Sequence, residues 1–187
     1  MNTDETRILI EAPDFDLAKT LDSGQVFHWE SSGPGFAGMI GEVPLYLEQD
    51  GPQLLVRREA EALVRHYFAL DHPLRKICAS FPDDSSIKEA CDFCHGLRII
   101  RQPLWECLAT FICSSMKQVA HIRQMSRALR ERFGQRHTLY VNHVYAFPSA
   151  ERLARTTEKQ LRECALGYRA KNLLATARRV GNSSAMI

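Results

Sequence analysis

Apolar residues recur every three or four positions between Pro103 and Gly134, and this spacing predicts two consecutive helices. Pro103 suits the first turn of a helix, and Gly134 suits a helix end. Ser114 and Ser115 separate the two runs, so a polar corner with the sequence SSMKQ is expected to join the helices. The first helix is expected to bury Leu104, Cys107, Leu108, Phe111 and Ile112. The second is expected to bury Val119, Ile122, Met125, Leu129 and Phe133, and to expose Arg123, Arg127 and Arg130.

Alternating apolar and polar residues in the first third of the chain predict an antiparallel sheet. Asp50-Gly51 is its strongest turn signal, because a two-residue hairpin with this pair at its centre needs positive φ at both positions. The predicted strands are Arg7–Glu11, Gln25–Glu30, Phe36–Ile40, Pro44–Glu48 and Gln53–Arg57. The residues available for the buried face are Val26, Phe27, Trp29, Leu45, Leu47, Leu54 and Val56.

After the last predicted strand, the apolar residues follow a helical period to the end of the chain. Ser86 and Glu89 have the spacing of a capping box, which predicts a helix start at that point. Ser149 and Thr157 are expected to cap two further short helices, and a last helix is predicted over residues 168–180. A sheet followed by helices indicates an α+β fold.

The composition is that of an ordinary soluble protein, with 45% hydrophobic and 25% charged residues in a chain of 187. No apolar run is long enough to span a bilayer, and the acidic N-terminus has no apolar signal-peptide core. The six cysteines are therefore expected to be reduced thiols. We expect the protein to be cytoplasmic, at the nucleoid of a bacterium, or nuclear in a eukaryote, and neither secreted nor membrane-bound.

The small net charge of +2 conceals a separation of sign along the chain. Residues 1–115 carry 10 Lys and Arg against 18 Asp and Glu, a net charge of −8. Residues 116–187 carry 14 against 4, a net charge of +10. A basic half in a nearly neutral protein favours a surface that faces a polyanion, with chance scatter between two solvated halves as the alternative.

A short motif, Cys91-Asp92-Phe93-Cys94-His95, matches the C-x-x-C-H pattern of covalent haem attachment. It lies inside a predicted helix, where Cys91 and Cys94 would share one face as small buried residues. Haem of this type is normally attached outside the cytoplasm, and a zinc site would need a second C-x-x-C that the chain does not contain. Buried thiols are the favoured interpretation, and we expect neither a metal nor a cofactor.

A second short stretch, Leu166-Gly167-Tyr168-Arg169-Ala170-Lys171, puts an aromatic and two basic residues directly after a glycine. An aromatic side chain can stack on bases or wedge between them, and an arginine can bind phosphate or a base edge. The alternative is a helix C-cap followed by a buried tyrosine and a surface arginine.

Three separated stretches resemble the 8-oxoguanine DNA glycosylase family of helix-hairpin-helix base-excision enzymes: FDLAKTLDSGQVFHW (15–29), GLRIIRQPLWECLATFICSS (96–115) and residues 147–169, which end in LGYR. The resemblance covers roughly residues 8–180. It implies a TBP-like antiparallel sheet domain at residues 1–96 packed on the start of a helical domain at 97–180, with 181–187 as an unmatched tail. It also implies a base-flipping enzyme that acts on duplex DNA with an oxidised purine.

The resemblance assigns roles to residues at matching positions. The carbonyl of Gly24, before Gln25, is expected to accept the N7–H that distinguishes oxidised guanine from guanine. Tyr168 and Arg169 match the residues that wedge the duplex and read the orphaned cytosine. The residues expected to contact DNA are Ser114, Ser115, Met116, Lys117, His121, Tyr168, Arg169 and Lys171.

Two departures from the family pattern affect these expectations. Met116 and Lys117 stand where the family has asparagines, and His121 replaces an arginine that also reads the cytosine, so selectivity for the opposite base is in doubt. The nucleophilic lysine and the catalytic aspartate of the family have no match here and are expected beyond Ile187. The chain is therefore expected to be a catalytically incomplete N-terminal fragment. The alternatives are a non-catalytic DNA-binding module, or one half of a split enzyme whose partner is a C-terminal half.

Overall fold

The computed structural model describes residues 7–140 and 142–184, which form two compact units. Of the described residues, 7–36 and 45–101 belong to the first unit, and 37–44 and 102–184 belong to the second. The main break between the units follows Arg101, whereas the predicted domain boundary follows Gly96. Helices and an antiparallel sheet together confirm the predicted α+β fold.

An antiparallel five-stranded sheet in the order β1-β5-β4-β3-β2 forms near the N-terminus. Four consecutive strands make a meander, and β1 joins it beside β5, with Ile8 opposite Val56 and Ile10 opposite Leu54. The strands are β1 (Arg7–Glu11), β2 (Glu30–Ser32), β3 (Gly35–Ile40), β4 (Val43–Asp50) and β5 (Gln53–Arg57). The predicted strand over Gln25–Glu30 is wrong, because β2 begins only at Glu30.

The hairpin between β4 and β5 turns one residue later than the sequence predicted. Asp50 still pairs with Gln53, so the two central residues are Gly51 and Pro52. Gly51 has a φ of 55°, whereas proline is restricted to negative φ. A positive φ at the first central residue alone is the pattern of a type II′ turn, which favours glycine at that position. Of the residues predicted for the buried face, Val26 is 2% exposed and Leu45, Leu47, Leu54 and Val56 are at most 1% exposed, whereas Phe27 and Trp29 are only half-buried.

The described residues of the first unit form four α-helices and a 3-10 turn at Arg58–Ala60: α1 (Leu17–Asp22), α2 (Glu61–Tyr67), α3 (Leu74–Ala79) and α4 (Ser85–Phe93). Asp16 caps α1, and its carboxylate accepts the Lys19 amide at 2.8 Å. Asp84 caps α4 by accepting the amides of Ser86 and Ile87, so the expected capping box at Ser86 is wrong. Helices α3 and α4 contain no fully buried residue.

The second unit contains the predicted pair of central helices and three later ones. Its elements within residues 102–184 are α5 (Leu104–Ser114), α6 (Val119–Phe133), β6 (Arg136–Leu139), β7 (Asn142–Tyr145), α7 (Ala150–Ala154), α8 (Glu158–Leu161) and α9 (Arg169–Ser184). Ser149 and Thr157 are confirmed as the caps of α7 and α8. The β6–β7 hairpin was not predicted. Helix α9 continues through Gly181 and Asn182 of the unmatched tail, while residues 185–187 lie outside the described part of the chain.

Helix α5 buries a different face from the predicted one. Leu104 is 90% exposed and Phe111 74% exposed, and Cys107 and Leu108 are exposed as well. The buried residues are Glu106, Ala109, Thr110 and Cys113, on the side that α6 and α9 contact. Small side chains on that side allow close helix packing, so partner positions decided the buried face, not hydrophobicity alone.

The cysteines are less buried than expected. Cys91 is half-buried and Cys94 exposed, as are Cys78 and Cys107, while Cys113 and Cys164 are buried. Among the residues that the structure describes, no three His, Cys, Asp or Glu side chains are arranged to hold a metal ion. No helix in this part of the chain is both long and apolar enough to cross a membrane.

Candidate nucleic-acid interface

The corner between α5 and α6, residues 114–118, projects an apolar side chain from a polar turn. The Ser114 hydroxyl donates to the Phe111 carbonyl at 2.8 Å, and the Lys117 amide donates to the Ser114 carbonyl at 3.1 Å. Between them, Met116 has a φ of 53° and a side chain that is 94% exposed. A left-handed backbone is unfavourable for methionine, so the surrounding turn holds Met116 outward at some conformational cost.

A second turn of unusual backbone precedes α9. Residues Arg162–Leu166 are wound as a π-helical turn that is broken at Ala165, where φ is 61°. Gly167 follows with a φ of 57° and a ψ of −130°, a conformation that glycine alone takes readily. This sharp reversal places Tyr168, which is 56% exposed, at the start of the last helix. Gly167 is the C-cap residue of the π-helical turn, which agrees with the helix C-cap that the sequence offered as one interpretation of this stretch.

Arg169 joins the two turns. Its Nε donates to the Ser115 carbonyl at 3.0 Å, and one terminal nitrogen donates to the same oxygen. Its guanidinium carbon lies 4.4 Å from the centre of the Tyr168 ring, which is a cation–π contact. The Arg169 side chain is only 4% exposed. The structure therefore brings together three of the predicted DNA-binding residues, Ser115, Tyr168 and Arg169, and a fourth, Met116, follows Ser115 in the chain.

The remaining predicted contacts in this unit lie on the surface. Lys117, His121 and Lys171 are exposed, and Ser114 is half-buried. Arg123 and Arg127 are exposed on α6, and Arg127 pairs with Glu131 at 2.7 Å. The exposed Lys117, Arg123, Arg127 and Lys171 are part of the positive charge that the sequence placed in the C-terminal half.

Arg130 was expected on this outer face, and that expectation is wrong. It is 3% exposed and forms a buried ion pair with Glu106, which is 5% exposed. Arg130 also donates to the Tyr145 carbonyl at 2.9 Å and lies 5.3 Å from the centre of the Phe147 ring. Burial raises the pKa of Glu106, and the Arg130 charge opposes that rise. The pair links α5 to α6, so it holds the two helices that carry the 114–118 corner.

Gly24 and Gln25, the residues expected to recognise the damaged base, lie in the first unit just after α1. Gly24 has a φ of 84°. The Gln25 amide is bound at both ends: its nitrogen donates to the Arg98 carbonyl at 2.9 Å, and its oxygen accepts the Ile100 amide at 2.9 Å. The side chain of Gln25 thus fixes the loop that carries the Gly24 carbonyl.

Arg98, which sequence reasoning missed, anchors this region. It is 5% exposed, and its guanidinium donates to the backbone carbonyls of Pro13, Asp14, Ala69 and His72 at 2.9–3.3 Å. Gly96 lies beside it with a φ of 84°, and a Cβ at that position would come within 2.8 Å of the Asp16 Cβ. A lone arginine in an apolar run was the only sequence signal for this anchor.

Comparison with solved structures identifies the class of the fold. The chain matches a structure described as MBOgg1 in complex with a low-affinity DNA ligand, with a TM-score of 0.90 and 26% identity over 96% of this chain and 64% of that one. It matches the 8-oxoguanine glycosylase/lyase of Clostridium acetobutylicum, in complex with double-stranded DNA containing cytosine opposite 8-oxoG, with a TM-score of 0.85 and 27% identity. That match covers 95% of this chain and 66% of the other. The fold is that of a DNA-base glycosylase.

The sequence comparisons narrow the class to a family. The model for the N-terminal domain of 8-oxoguanine DNA glycosylase matches residues 7–108, more than half of the chain. The chain belongs to the 8-oxoguanine DNA glycosylase family. The N-glycosylase/DNA lyase of Saccharomyces cerevisiae is 33% identical to it over 96% of this chain and 53% of that protein. The chain spans about half the length of the curated relatives it matches.

Proposed function

We propose that this chain provides the DNA-binding and lesion-recognition surfaces of an 8-oxoguanine DNA glycosylase and lyase. Family membership supports the proposal, as do relatives named N-glycosylase/DNA lyase and a neighbour bound to DNA with cytosine opposite 8-oxoG. The observation that carries it is the arrangement around Arg169, which ties the exposed Met116 corner to the exposed Tyr168. The protein would act where duplex DNA is, in the nucleoid or the nucleus.

Basic side chains of the second unit are proposed to bind duplex DNA mainly through its phosphates. Lys117 directly follows Met116, and Lys171 lies two residues after Arg169; both side chains are exposed, and the stretch after residue 115 has a net charge of +10. Lysine and arginine side chains release counterions when they neutralise phosphates, which makes such binding strongly salt-dependent.

Base flipping leaves a gap in the stack that an inserted side chain must fill. Met116 suits this role because its side chain is apolar, 94% exposed and directed outward by a constrained turn. Tyr168 supplies a flat apolar surface for the neighbouring base step. The buried Arg169 guanidinium holds both in place, since it bonds the Ser115 carbonyl and stacks on the Tyr168 ring.

Selectivity for cytosine rests on fewer groups here than the family pattern provides. Nε and one terminal nitrogen of Arg169 are directed at the Ser115 carbonyl, so we assign the other terminal nitrogen to the cytosine. Met116 offers no hydrogen-bonding group, and His121 supplies at most two ring nitrogens. We therefore propose a weaker preference for the opposite base than an asparagine and a second arginine would give.

Recognition of the lesion is assigned to the Gly24 carbonyl in the first unit. Oxidised guanine carries an N7–H donor where guanine has an acceptor, so one carbonyl discriminates between them by hydrogen bonding. The Gln25 amide, bound to the backbone of Arg98 and Ile100, keeps this loop in one conformation.

The covalent step of a lyase requires an amine nucleophile with a depressed pKa, which burial commonly provides. The chain contains six lysines, and the structure shows none of them as buried. We propose that none of these lysines is the nucleophile, and that the chain on its own binds damaged DNA without cleaving it.

Binding to matched duplexes tests the proposal. Fluorescence anisotropy with an 8-oxoguanine:cytosine duplex and its guanine:cytosine counterpart should show tighter binding to the damaged one. Met116→Ala and Tyr168→Ala should reduce that preference several-fold and change undamaged-DNA binding little, whereas Lys171→Ala should weaken both. Lys88→Ala, an exposed lysine of the first unit, is the control. Equal affinity of the wild-type protein for both duplexes would refute lesion recognition.

Borohydride trapping tests the catalytic part separately. We expect no covalent adduct between this chain and the damaged duplex. A trapped adduct that maps to Lys117, Lys171 or any other lysine of the chain would show that the nucleophile lies within it.

A further inference from the structure

Met116, which the proposed function places in the gap left by the flipped base, differs from the other methionines that the structure describes. It is 94% exposed, whereas Met39 and Met125 are at most 1% exposed. Met1 and Met186 lie outside the described part of the chain. Oxidants in solution reach a side-chain sulfur according to its exposure, so the structure singles out the Met116 thioether from the two buried ones.

The backbone on both sides of Met116 is fixed by bonds that do not involve its side chain. The Lys117 amide donates to the Ser114 carbonyl at 3.1 Å, and the Arg169 guanidinium binds the Ser115 carbonyl. A chemical change of the Met116 side chain therefore leaves the 114–118 corner in place. It alters only what the corner presents to DNA.

We propose that Met116 is a modification site, at which a hydroperoxide oxidises the thioether to the sulfoxide and thereby lowers the preference of the protein for damaged DNA. Three observations carry the inference: the exposure of Met116, the burial of Met39 and Met125, and the position of Met116 directly after the carbonyl that Arg169 binds. The inference rests on the proposed function, because it requires the Met116 side chain to enter the base stack.

The reaction transfers one oxygen atom from the peroxide to the sulfur. A sulfur lone pair attacks one oxygen of hydrogen peroxide, so a sulfur–oxygen bond forms and the oxygen–oxygen bond breaks, releasing hydroxide. The hydroxide takes the proton from the oxygen on sulfur, which gives the sulfoxide and one water molecule. The sulfur loses two electrons and the peroxide gains them. Methionine sulfoxide reductases reverse the change, with a separate enzyme for each epimer of the sulfoxide.

The sulfoxide differs from the thioether chiefly in polarity. Its oxygen is a hydrogen-bond acceptor, and burying an acceptor between the flat faces of two bases, where no donor lies, is unfavourable. Insertion beside a flipped base should therefore weaken. Undamaged DNA is proposed to bind through phosphates, and the exposed Lys117 and Lys171 keep their charges, so its affinity should change little. We expect oxidation to reduce lesion preference several-fold, as for Met116→Ala.

Peptide mapping by mass spectrometry tests the modification itself. The full chain is treated with hydrogen peroxide, catalase ends the reaction, and dithiothreitol reduces oxidised thiols without reducing a sulfoxide. We expect the tryptic peptide 102–117 to gain one oxygen atom at Met116 before the peptides that contain Met39 or Met125 gain any. Oxidation of the two buried methionines at the same rate as Met116 would overturn the proposed site.

Fluorescence anisotropy on the same samples, with 8-oxoguanine:cytosine and guanine:cytosine duplexes, tests the consequence. The oxidised wild-type protein should lose several-fold of its preference for the damaged duplex, and the two sulfoxide reductases together should restore it. Met116→Leu lacks this sulfur but keeps all six cysteines, so its preference should be the same before and after peroxide. Met125→Leu, the matched control at a buried methionine, should respond to peroxide as the wild-type protein does.

The outcomes separate this inference from the proposed function. If Met116→Ala loses lesion preference but oxidation of Met116 leaves it unchanged or increases it, the inference alone is overturned. An equal response of Met116→Leu to peroxide would overturn it too, because the effect would then come from another side chain. If untreated Met116→Ala keeps the full preference of the wild-type protein, the proposed insertion of Met116 fails, and this inference fails with it.

Discussion

Removing one partner of the buried Glu106–Arg130 ion pair should destabilise the second unit strongly. Glu106→Gln keeps the shape of the side chain but leaves the Arg130 charge buried without its counter-charge. Arg130→Met leaves the Glu106 carboxylate buried instead, and it also removes the bond to the Tyr145 carbonyl and the contact with the Phe147 ring. We therefore expect Arg130→Met to be the more damaging of the two.

The magnitude follows from the burial of both groups. Their side chains are 4% and 6% exposed, so solvent cannot compensate a charge that loses its partner. Breaking a buried pair in this way costs about 3–5 kcal/mol. For a chain of this length, each kcal/mol lowers the melting temperature by about 2–4 °C, so a loss of roughly 6–20 °C is expected.

Chemical denaturation of both single variants and of Glu106→Gln/Arg130→Met measures the coupling between the residues. The double variant should be more stable than the sum of the two losses predicts, because it leaves neither charge buried alone. Arg127→Met is the matched control, since Arg127 lies on the same helix in an exposed pair with Glu131 whose side chains are 67% and 45% exposed. It should cost no more than about 0.5 kcal/mol.

Two outcomes would refute this interpretation: strictly additive losses in the double variant, or a cost for Glu106→Gln below about 1 kcal/mol. Either would mean that the Glu106 carboxylate does not neutralise the Arg130 charge.

The raised pKa of Glu106 also predicts how the stability of the protein changes with pH. A carboxyl whose pKa is higher in the folded state than in the unfolded state opposes folding as the pH rises through the interval between the two values. Its contribution to stability should therefore fall across that interval in the wild-type protein and be absent from Glu106→Gln.

Three further predictions address DNA binding, lesion recognition and thiol chemistry. Lys171→Ala and Arg127→Ala should each weaken duplex binding on any sequence and reduce the magnitude of the salt slope by about 1, as measured by anisotropy titrations at several salt concentrations. Gly24→Ala should destabilise the fold by roughly 1 kcal/mol or more, because Gly24 has a φ of 84°, and thermal melting measures this loss. The added methyl group should also obstruct the Gly24 carbonyl, so the preference for damaged over undamaged DNA, measured by anisotropy, should fall as well. Iodoacetamide should label the exposed Cys107 and spare Cys113 in the native protein at pH 8, because burial raises the pKa of Cys113 to about 12.

Controls within the chain sharpen these tests. Lys88→Ala should leave the salt slope unchanged, and a slope that does not depend on any lysine or arginine would contradict phosphate binding. Gly33→Ala places the same strain in an exposed turn with φ 60° and open space around the new methyl. Equal loss of lesion preference in both glycine variants would assign Gly24 a purely structural role. Rapid labelling of Cys113 would mean that the helix packing around it opens readily.

The sequence by itself determined the features that neighbouring residues control. Ser149 and Thr157 cap helices wherever those helices pack, because a cap needs only the amides of the next turn. The alternation over residues 43–57 likewise specified two strands and their buried face, since a strand has only two faces to choose between. The family resemblance at residues 15–29 and 96–115 was likewise visible in the sequence alone, because it depends on the identity and order of the residues and not on their contacts.

Only the tertiary structure decided which of several available surfaces was buried. The apolar spacing of α5 marked one face of the helix, but α6 and α9 pack on the face with Ala109, Thr110 and Cys113, and Leu104 and Phe111 remain exposed. Arg130 was expected on the surface and Arg98 was not singled out, yet both are buried. The Glu106 carboxylate compensates the charge of Arg130, and four backbone carbonyls compensate that of Arg98. Such partners lie far away in the sequence, and no local pattern encodes them. The same holds for Arg169, whose buried contacts with Ser115 and Tyr168 exist only once α9 has packed against α5.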